Sequence, residues 1–255
     1  MLKLSKTEAI NFIFTVLVLA IVFGYNDGRP VFEFSFWITN FFKVLVIAAI
    51  SIYLHNIAHK YVAKRYGLAV EHRVWGIKKL SLAEPKYPKK ISIFGKKFVI
   101  ESFPLGIILP ILFAIFTNGR FYFATVESYK LFMKRISRFG KRFIHVTDFE
   151  EAKIAIAGPL VNIFIAIAFS TINFNGMFDS IVLINSWIAL FHMLPFPELD
   201  GFKVLVGSVP IYIFSFVFIL CVTLFMKFIG SFGALLLALL LAILLVFLFF
   251  WRLYK

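Results

Sequence analysis

The sequence predicts an all-α polytopic membrane protein with about six transmembrane helices and a short re-entrant or β-hairpin insertion between the second and third spans. Three observations lead to this class. The 255-residue chain is 61% hydrophobic, its mean hydropathy of +0.92 is far above that of soluble domains, and apolar runs near the roughly 20-residue spanning length recur along it. A soluble fold of this composition would have no polar face to present to water, so we expect the lipid bilayer to be its main solvent.

Six apolar segments are predicted to cross the membrane. They cover residues 9–24, 36–66, 152–172, 178–194, 209–229 and 231–251. Lys3 and Lys6 precede the first segment, which lacks a small-residue cleavage site and is therefore expected to remain as a span. Arg252 and Lys255 follow the last segment. By the positive-inside rule we expect both termini on the cytoplasmic side of the cell membrane.

We expect one membrane domain over residues 1–255, with a functional core at about 36–207 and a C-terminal helical pair at 209–252. The net charge of +14 arises mainly from loops between apolar segments, which is typical of contact with anionic lipid, so nucleic acid is not an expected partner. The single cysteine, Cys221, excludes a disulfide framework or a thiolate metal cluster. The oligomeric state has no signature in the sequence.

The connection between the second and third spans is expected to lie on the cytoplasmic side. Residues 60–102 carry eleven Lys or Arg and three acids, an excess of positive charge that favours this side. Within this connection, residues 91–94 and 97–100 have the composition of two short strands, separated by Gly95 and Lys96. This pattern predicts a β-hairpin.

Residues 103–117 are predicted to enter the membrane and return rather than cross it. They are apolar but number only 15, and they contain Pro104 and Pro110. The segments on both sides of them are basic, which favours the same side for both ends. After this element, residues 120–129 alternate as a strand would, and the basic residues 130–142 are expected along the membrane interface.

Two histidines near the end of the second span are candidate metal ligands. His55 and His59 are four residues apart, so they share a face of a helix and could present two imidazoles to one divalent ion. Such a pair arises by chance in a minority of chains, but polar side chains inside a span are costly and usually mark function.

An acid at membrane depth completes the candidate ligand set. Pro195 and Pro197 break the end of the fourth predicted span, and Asp200 and Gly201 follow. His55, His59 and Asp200 would leave a fourth coordination position open, which is the form of a catalytic zinc site. The alternative is an aspartate that caps the next helix.

A third motif lies in the middle of the chain, where Gly158 and Pro159 precede Asn162 by about one helical turn. Glycine permits close helix approach and proline frees a backbone carbonyl. A direct role in substrate binding and an ordinary kinked packing seam both fit this pattern.

The three motifs, in this order, resemble the site-2 protease family of intramembrane zinc metalloproteases, most closely its short archaeal and bacterial members. The resemblance implies a polytopic helical fold and one zinc ion bound by His55, His59 and Asp200. It also implies cleavage of transmembrane proteins or peptides, with substrate contacts from residues of the Gly158, Pro159 and Asn162 motif.

Two residues depart from the pattern of that family. The family has a glutamate as general base where this chain has Asn56, which cannot accept a proton at neutral pH. The family commonly has asparagine, in a substrate or oxyanion contact, where this chain has His192. Glu198 and His192 are the nearby groups that could replace the missing base.

Three other functions remain open at this point. The chain could be a non-catalytic relative that binds metal and transmembrane segments, or a protease inactivated by substitution at position 56. An ion transporter is a further class, but no inverted repeat indicates one.

Overall fold

The computed structural model of the chain describes residues 5–77, 89–93, 96–100, 102–133 and 146–255. Seven helices and four strands lie within these residues. In chain order they are α1 (Lys6–Gly24), α2 (Phe34–Arg65), β1 (Leu68–Val74), β2 (Lys89–Ile93), β3 (Lys96–Ile100), α3 (Leu105–Phe116), β4 (Glu127–Met133), α4 (Asp148–Thr171), α5 (Asp179–His192), α6 (Asp200–Gly207) and α7 (Val209–Leu253).

Four of the described helices, α1, α2, α4 and α7, are long and apolar enough to cross a membrane. The structure therefore indicates a membrane protein, but it does not confirm six spans. α5, where a fourth span was predicted, has 14 residues and is shorter than a typical crossing. α7 has 45 residues and is broken at Gly230, whose φ of 72° and ψ of 171° are not helical. This break falls between the two C-terminal spans that the sequence predicts.

Capping boxes fix the starts of α1 and α4. Ser5 Oγ accepts from the Glu8 backbone N–H while the Ser5 backbone N–H donates to Glu8 Oε2. Thr147 and Glu150 make the same reciprocal pair before α4. Two of the four backbone donors that every helix start leaves free are satisfied in this way.

The strands form two antiparallel pairs. β2 pairs with β3, with Ile93 opposite Lys96, so the predicted hairpin is confirmed, although its turn at residues 94–95 lies outside the described residues. β1 pairs with β4 over their full lengths, with Leu68 opposite Met133. The sequence placed the second of these strands at residues 120–129, which is too early, and it did not predict β1. Only part of the predicted interfacial segment 130–142 is described.

The segment between β1 and β4, called the excursion below, leaves the strand pair after Trp75 and returns to it at Val126. At its base, the Trp75 backbone N–H donates to the Val126 carbonyl and the Gly106 N–H donates to the Trp75 carbonyl, each at 2.9 Å. At its tip, Asn26 Nδ2 donates to the carbonyl of Asn118, 3.1 Å away. The two ends of this segment therefore lie side by side next to β1 and β4. Its tip at Asn118 contacts the connection between α1 and α2.

α4 holds the central position in the helical core. It packs against α2, α5, α6 and α7. Its residues Ile154, Ala155 and Ile163 are buried in a cluster that also contains Ala189 of α5 and Val204 of α6. Because α2, α5 and α6 all touch α4, polar residues on these helices can meet beside it.

Candidate metal centre

His55 and His59 point their rings at one place because they lie one turn apart on α2. Their Nε2 atoms are 3.0 Å apart, and the ring centroids are separated by 4.7 Å. Both side chains are buried, with 1% and 0% exposure. The spacing of four residues thus produces the shared face that the sequence predicts.

Asp200 reaches the histidines from the start of α6. Its Oδ2 atom lies 3.4 Å from His55 Nε2 and 3.5 Å from His59 Nε2. The turn before α6 is tight, because a Cβ on Gly201 would overlap the carbonyl group of Met193. A side chain at position 201 would therefore push α6, and with it Asp200, away from the histidines.

Hydrogen bonds orient both imidazoles. His55 Nδ1 donates to Asn162 Oδ1 at 2.6 Å, and His59 Nδ1 donates to the carbonyl of Ile154 at 2.7 Å. Asn162 is held in turn by Asn185 of α5, whose Oδ1 accepts from Asn162 Nδ2 at 2.9 Å. With both Nδ1 atoms acting as donors, the lone pairs of both Nε2 atoms face Asp200.

The three side chains fit a zinc ion. Ligands bound tetrahedrally at about 2.0–2.1 Å from one ion lie about 3.3 Å from each other. The separations of 3.0, 3.4 and 3.5 Å among the two Nε2 atoms and Asp200 Oδ2 are close to this value. Metal-binding histidines also usually donate their second ring N–H to an oxygen, as His55 and His59 do here.

Gly158 lies directly against the ligand atoms. A Cβ at this position would overlap His59 Nε2 and come within 2.5 Å of His55 Nε2. Pro159, its neighbour in α4, is buried as well. The Gly158, Pro159 and Asn162 motif is therefore part of the wall of the metal site, and Asn162 contacts a ligand directly.

Asn56 follows His55 on α2 and is buried, with 4% exposure. Its Nδ2 donates to Glu127 Oε2 of β4 at 3.4 Å. Asn56 Oδ1 and Glu127 Oε1 are both buried, and neither has a hydrogen-bond partner among the described residues. Position 56, where the resemblance noted in the sequence predicts a general base, is thus occupied by an amide in contact with a carboxylate from another element.

His192 and Glu198 have different surroundings. His192 is buried at the end of α5, and its Nδ1 lies 3.0 Å from Asp200 Oδ2, while its Nε2 has no partner in the described part of the chain. Glu198 is paired with Arg73 at 2.8 Å, and its side chain is 36% exposed. The structure brings His192 to the candidate ligands, whereas the Glu198 carboxylate contacts Arg73.

Several residues near the site were missed in the sequence. Asn185 is a buried polar residue in an apolar helix, a signal that could have identified it. Glu127 and Tyr129 carry no such signal, because they lie on a short strand far from the motifs. The Tyr129 ring is 4.7 Å from that of His59, and Lys203 Nζ lies 3.2 Å from the Tyr129 ring centroid.

Burial governs the charge state of two side chains outside the spanning helices. It raises the pKa of Glu127 to about 7, an effect that His55 and the hydrogen bond from Asn56 partly offset. It lowers the pKa of Lys203 to about 8, although Asp200 and Glu151 favour the charged form. A carboxyl group with a pKa near 7 can both accept and return a proton at neutral pH.

No protein-family model matches this chain, and no solved structure matches it significantly. A protein of Methanocaldococcus jannaschii that carries the name "Putative zinc metalloprotease" is 28% identical to it over 215 residues, which are 80% of this chain and 85% of that protein. The similarity therefore extends over most of both proteins. Together with the buried group of His55, His59 and Asp200, it supports a zinc metalloprotease function for this chain.

Proposed function

We propose that the chain is an intramembrane zinc metalloprotease of the site-2 type, which hydrolyses peptide bonds of transmembrane proteins or peptides. The observation that carries this proposal is the convergence of His55, His59 and Asp200, which are buried among helices long enough to span a bilayer. Ionisable groups at such depth are costly unless they are paired or bind a metal. One zinc ion at the three ligand atoms accounts for their burial.

The protein's own groups have separate roles in this proposal. The zinc ion, when bound, would act as a Lewis acid that activates water and polarises the scissile carbonyl. Asn162 and the carbonyl of Ile154 orient the two imidazoles. Gly158 keeps the space next to both Nε2 atoms free for a reacting group.

Pro159 and His192 complete the proposed site. Pro159 has no N–H, so the carbonyl of Ala155, one turn earlier, is free to accept from the backbone of a substrate. His192 donates to Asp200 through Nδ1 and thereby orients that carboxylate. Its unpartnered Nε2 is the part of the ring that remains for a contact with substrate.

Asn56 reduces the proposed activity. General-base catalysis contributes about 10²–10⁴-fold to a rate, and an amide cannot supply it at neutral pH. We therefore expect hydrolysis by the natural chain to depend on zinc and to be slower than by a chain with a glutamate at position 56. A non-catalytic binder of transmembrane segments is the second candidate, and Asn56 is the observation that favours it.

A matched comparison tests the proposal. The natural chain, Asn56→Glu, and the double variant His55→Ala/His59→Ala are purified, loaded with zinc and incubated with a transmembrane peptide in liposomes. We expect cleavage by the first two chains, with Asn56→Glu at least about 10-fold faster, and neither cleavage nor bound zinc in the double variant. Zinc bound by Asn56→Glu without any cleavage would favour the non-catalytic binder instead.

We also place the protein in the cell membrane with both termini on the cytoplasmic side. The basic residues around the α2–α4 connection support this orientation. It puts the metal centre near the cytoplasmic end of α2.

A further inference from the structure

The carboxylate of Glu127 contacts Asn56, the residue at the position where a general base is expected. The distance from Asn56 Nδ2 to Glu127 Oε2 is 3.4 Å, although the two residues are 71 positions apart. Glu127 is 1% exposed and opens β4, where it pairs in register with Val74 of β1. The β1–β4 pair thus inserts a carboxylate beside the histidine-bearing face of α2.

Each of these two side chains has one oxygen atom that receives no hydrogen bond from the described residues. Glu127 Oε1 and Asn56 Oδ1 are both buried and have no partner among the described residues. Buried acceptors of this kind are almost always satisfied, and a water molecule has two protons to donate. We expect a water molecule to satisfy these two oxygens together with the Thr15 hydroxyl of α1, which acts on Glu127 and is likewise unpartnered among the described residues.

The surroundings of Glu127 suit it to exchange a proton near neutral pH. Burial raises its pKa to about 7. The other groups that act on it are His55 and Asn56 from α2, Thr15 from α1 and Asp200 from α6.

We propose that Glu127 is the general base of this protein and takes over the role that Asn56 cannot perform; the inference rests on the proposed protease function. The oxygen of a water molecule bonds to the carbonyl carbon of the scissile peptide, and one proton of that water passes to Glu127. The same proton then moves to the amide nitrogen as the carbon–nitrogen bond breaks. The products are a carboxylic acid and an amine, and the Glu127 carboxylate is regenerated.

Asn56 acts as the positioning residue for this base. Its Nδ2 donates to one carboxylate oxygen of Glu127 and leaves the other oxygen free for water. The carboxylate of this chain thus lies across one hydrogen bond from the position where the resemblance to the site-2 protease family predicts a glutamate. A chain in which amide and carboxylate are exchanged between positions 56 and 127 should therefore function.

The two bases suggested by the sequence are less well placed. Glu198 is partly exposed and forms an ion pair with Arg73 at 2.8 Å, which turns its carboxylate toward that guanidinium. His192 already uses Nδ1 for Asp200. Neither has a recorded contact with Asn56 in the described residues.

The experiment compares five zinc-loaded chains on a transmembrane peptide in liposomes. They are the natural chain, Glu127→Gln, the exchange variant Asn56→Glu/Glu127→Gln, Glu198→Gln and Glu71→Gln. Glu71→Gln is the matched control, because it makes the same change on the paired strand β1. We expect Glu127→Gln to lower kcat at least about 100-fold and the exchange variant to restore it, while Glu71→Gln and the zinc content of all five chains stay unchanged.

A second readout does not depend on turnover. In infrared difference spectra of the metal-free natural chain, the band of a protonated carboxyl group should disappear as the pH rises through about 7, and bound zinc, a nearby cation, should move this transition to lower pH. Glu127→Gln should lack this band, whereas Glu71→Gln should keep it. Since a base must be deprotonated to act, kcat of the zinc-loaded natural chain should rise with pH through the carboxyl transition that its own infrared spectra show.

The outcomes separate this inference from the proposed function. Equal cleavage by the natural chain and Glu127→Gln, or loss of activity in Glu198→Gln alone, would overturn the role of Glu127 and leave the protease proposal intact. Cleavage by the exchange variant alone would also overturn it, because the natural chain would then have no working base. Failure of every chain, including the exchange variant, would refute the protease function and the inference together.

Discussion

Gly158 is the residue on which the geometry of the metal centre depends most directly. It sits where α4 passes the two imidazoles, and any side chain there would occupy the space next to both Nε2 atoms. The smallest possible addition, one methyl group, is therefore enough to separate the histidines from Asp200.

We predict that Gly158→Ala abolishes stoichiometric zinc binding while the protein still folds, since alanine is the better helix former. The measurement is metal content after gel filtration in detergent. Gly233→Ala is the control, because the nearest atoms to its new Cβ are at an ordinary distance of 3.4 Å. Full zinc content in Gly158→Ala would contradict the site.

Asn162 is not a candidate metal ligand, but its hydrogen bond fixes the ring orientation of His55, which is one. Asn162→Leu removes the acceptor of His55 Nδ1, so the ring loses its fixed orientation. Loss of such a partner typically costs about 10–100-fold in metal affinity. We expect a decrease of this size in zinc competition titrations and no change for Thr171→Val, whose exposed hydroxyl donates to the Ala168 carbonyl on the same helix.

Some residues of this site were predictable from the sequence and others were not. His55, His59 and Asp200 were predicted because a spacing of four on a helix and an acid at membrane depth are local signals, and the structure brings these three together. Glu127 gave no such signal. Its proposed role as the general base follows from its contact with Asn56 in the folded protein.

At the scale of elements, α1 is joined to α2 and β1 through one buried carboxylate. Glu8 Oε1 pairs with Lys60 Nζ at 2.8 Å and accepts from the His72 N–H at 3.3 Å, while Oε2 serves the capping box of α1. The Lys60 and Glu8 side chains are only 13% and 5% exposed, respectively. Such a pair is costly to break because the remaining charge stays buried.

We predict that Glu8→Gln lowers the free energy of unfolding by about 3 kcal/mol, since Lys60 keeps its charge without a counterion. Glutamine preserves the capping box, so the change isolates the ion pair. In the double variant Glu8→Gln/Lys60→Met, stability should recover in part. Unfolding in mixed micelles provides the measurement, and equal losses in the single and double variants would argue against the pair.

Helices and local hairpins were predictable because their signals are local. The long apolar runs correspond to α1, α2 and α4, and the β2–β3 hairpin joins neighbouring segments. β1 was missed and β4 was placed too early, because their pairing joins segments about 60 residues apart and depends on the excursion between them.

At the scale of the whole molecule, the path of the segment between β1 and β4 decides whether α2 and α6 can meet on the same side of the membrane. The sequence predicts that residues 103–117 turn back within the membrane. In the structure the tip at Asn118 contacts Asn26, beyond the end of α1, and the chain then returns to β4. The tip thus reaches the level of the α1–α2 connection, farther than the predicted turn within the membrane, before the chain returns. A label at the tip and a label at the base should therefore report opposite sides of the membrane.

We predict that single cysteines at Lys64 and Asp148, in a Cys221→Ala background, react with an impermeant maleimide from one side of sealed vesicles. Cysteines at Gly28 and Asn118 should react from the other side. All four positions are exposed in the structure. Labelling of positions 64 and 148 from opposite sides would contradict the return of the chain, and with it a centre shared by α2 and α6.

The sequence by itself determined the membrane class, the order of the three motifs and the identity of the three candidate ligands. These depend on composition and short spacings, which act locally along the chain. Only the tertiary structure decided that Gly158 lies against both imidazoles, that Asn162 orients His55, and that Glu127 faces Asn56. The physical reason is that these contacts follow from the packing of α4 on α2 and the pairing of β1 with β4, which join residues far apart in sequence.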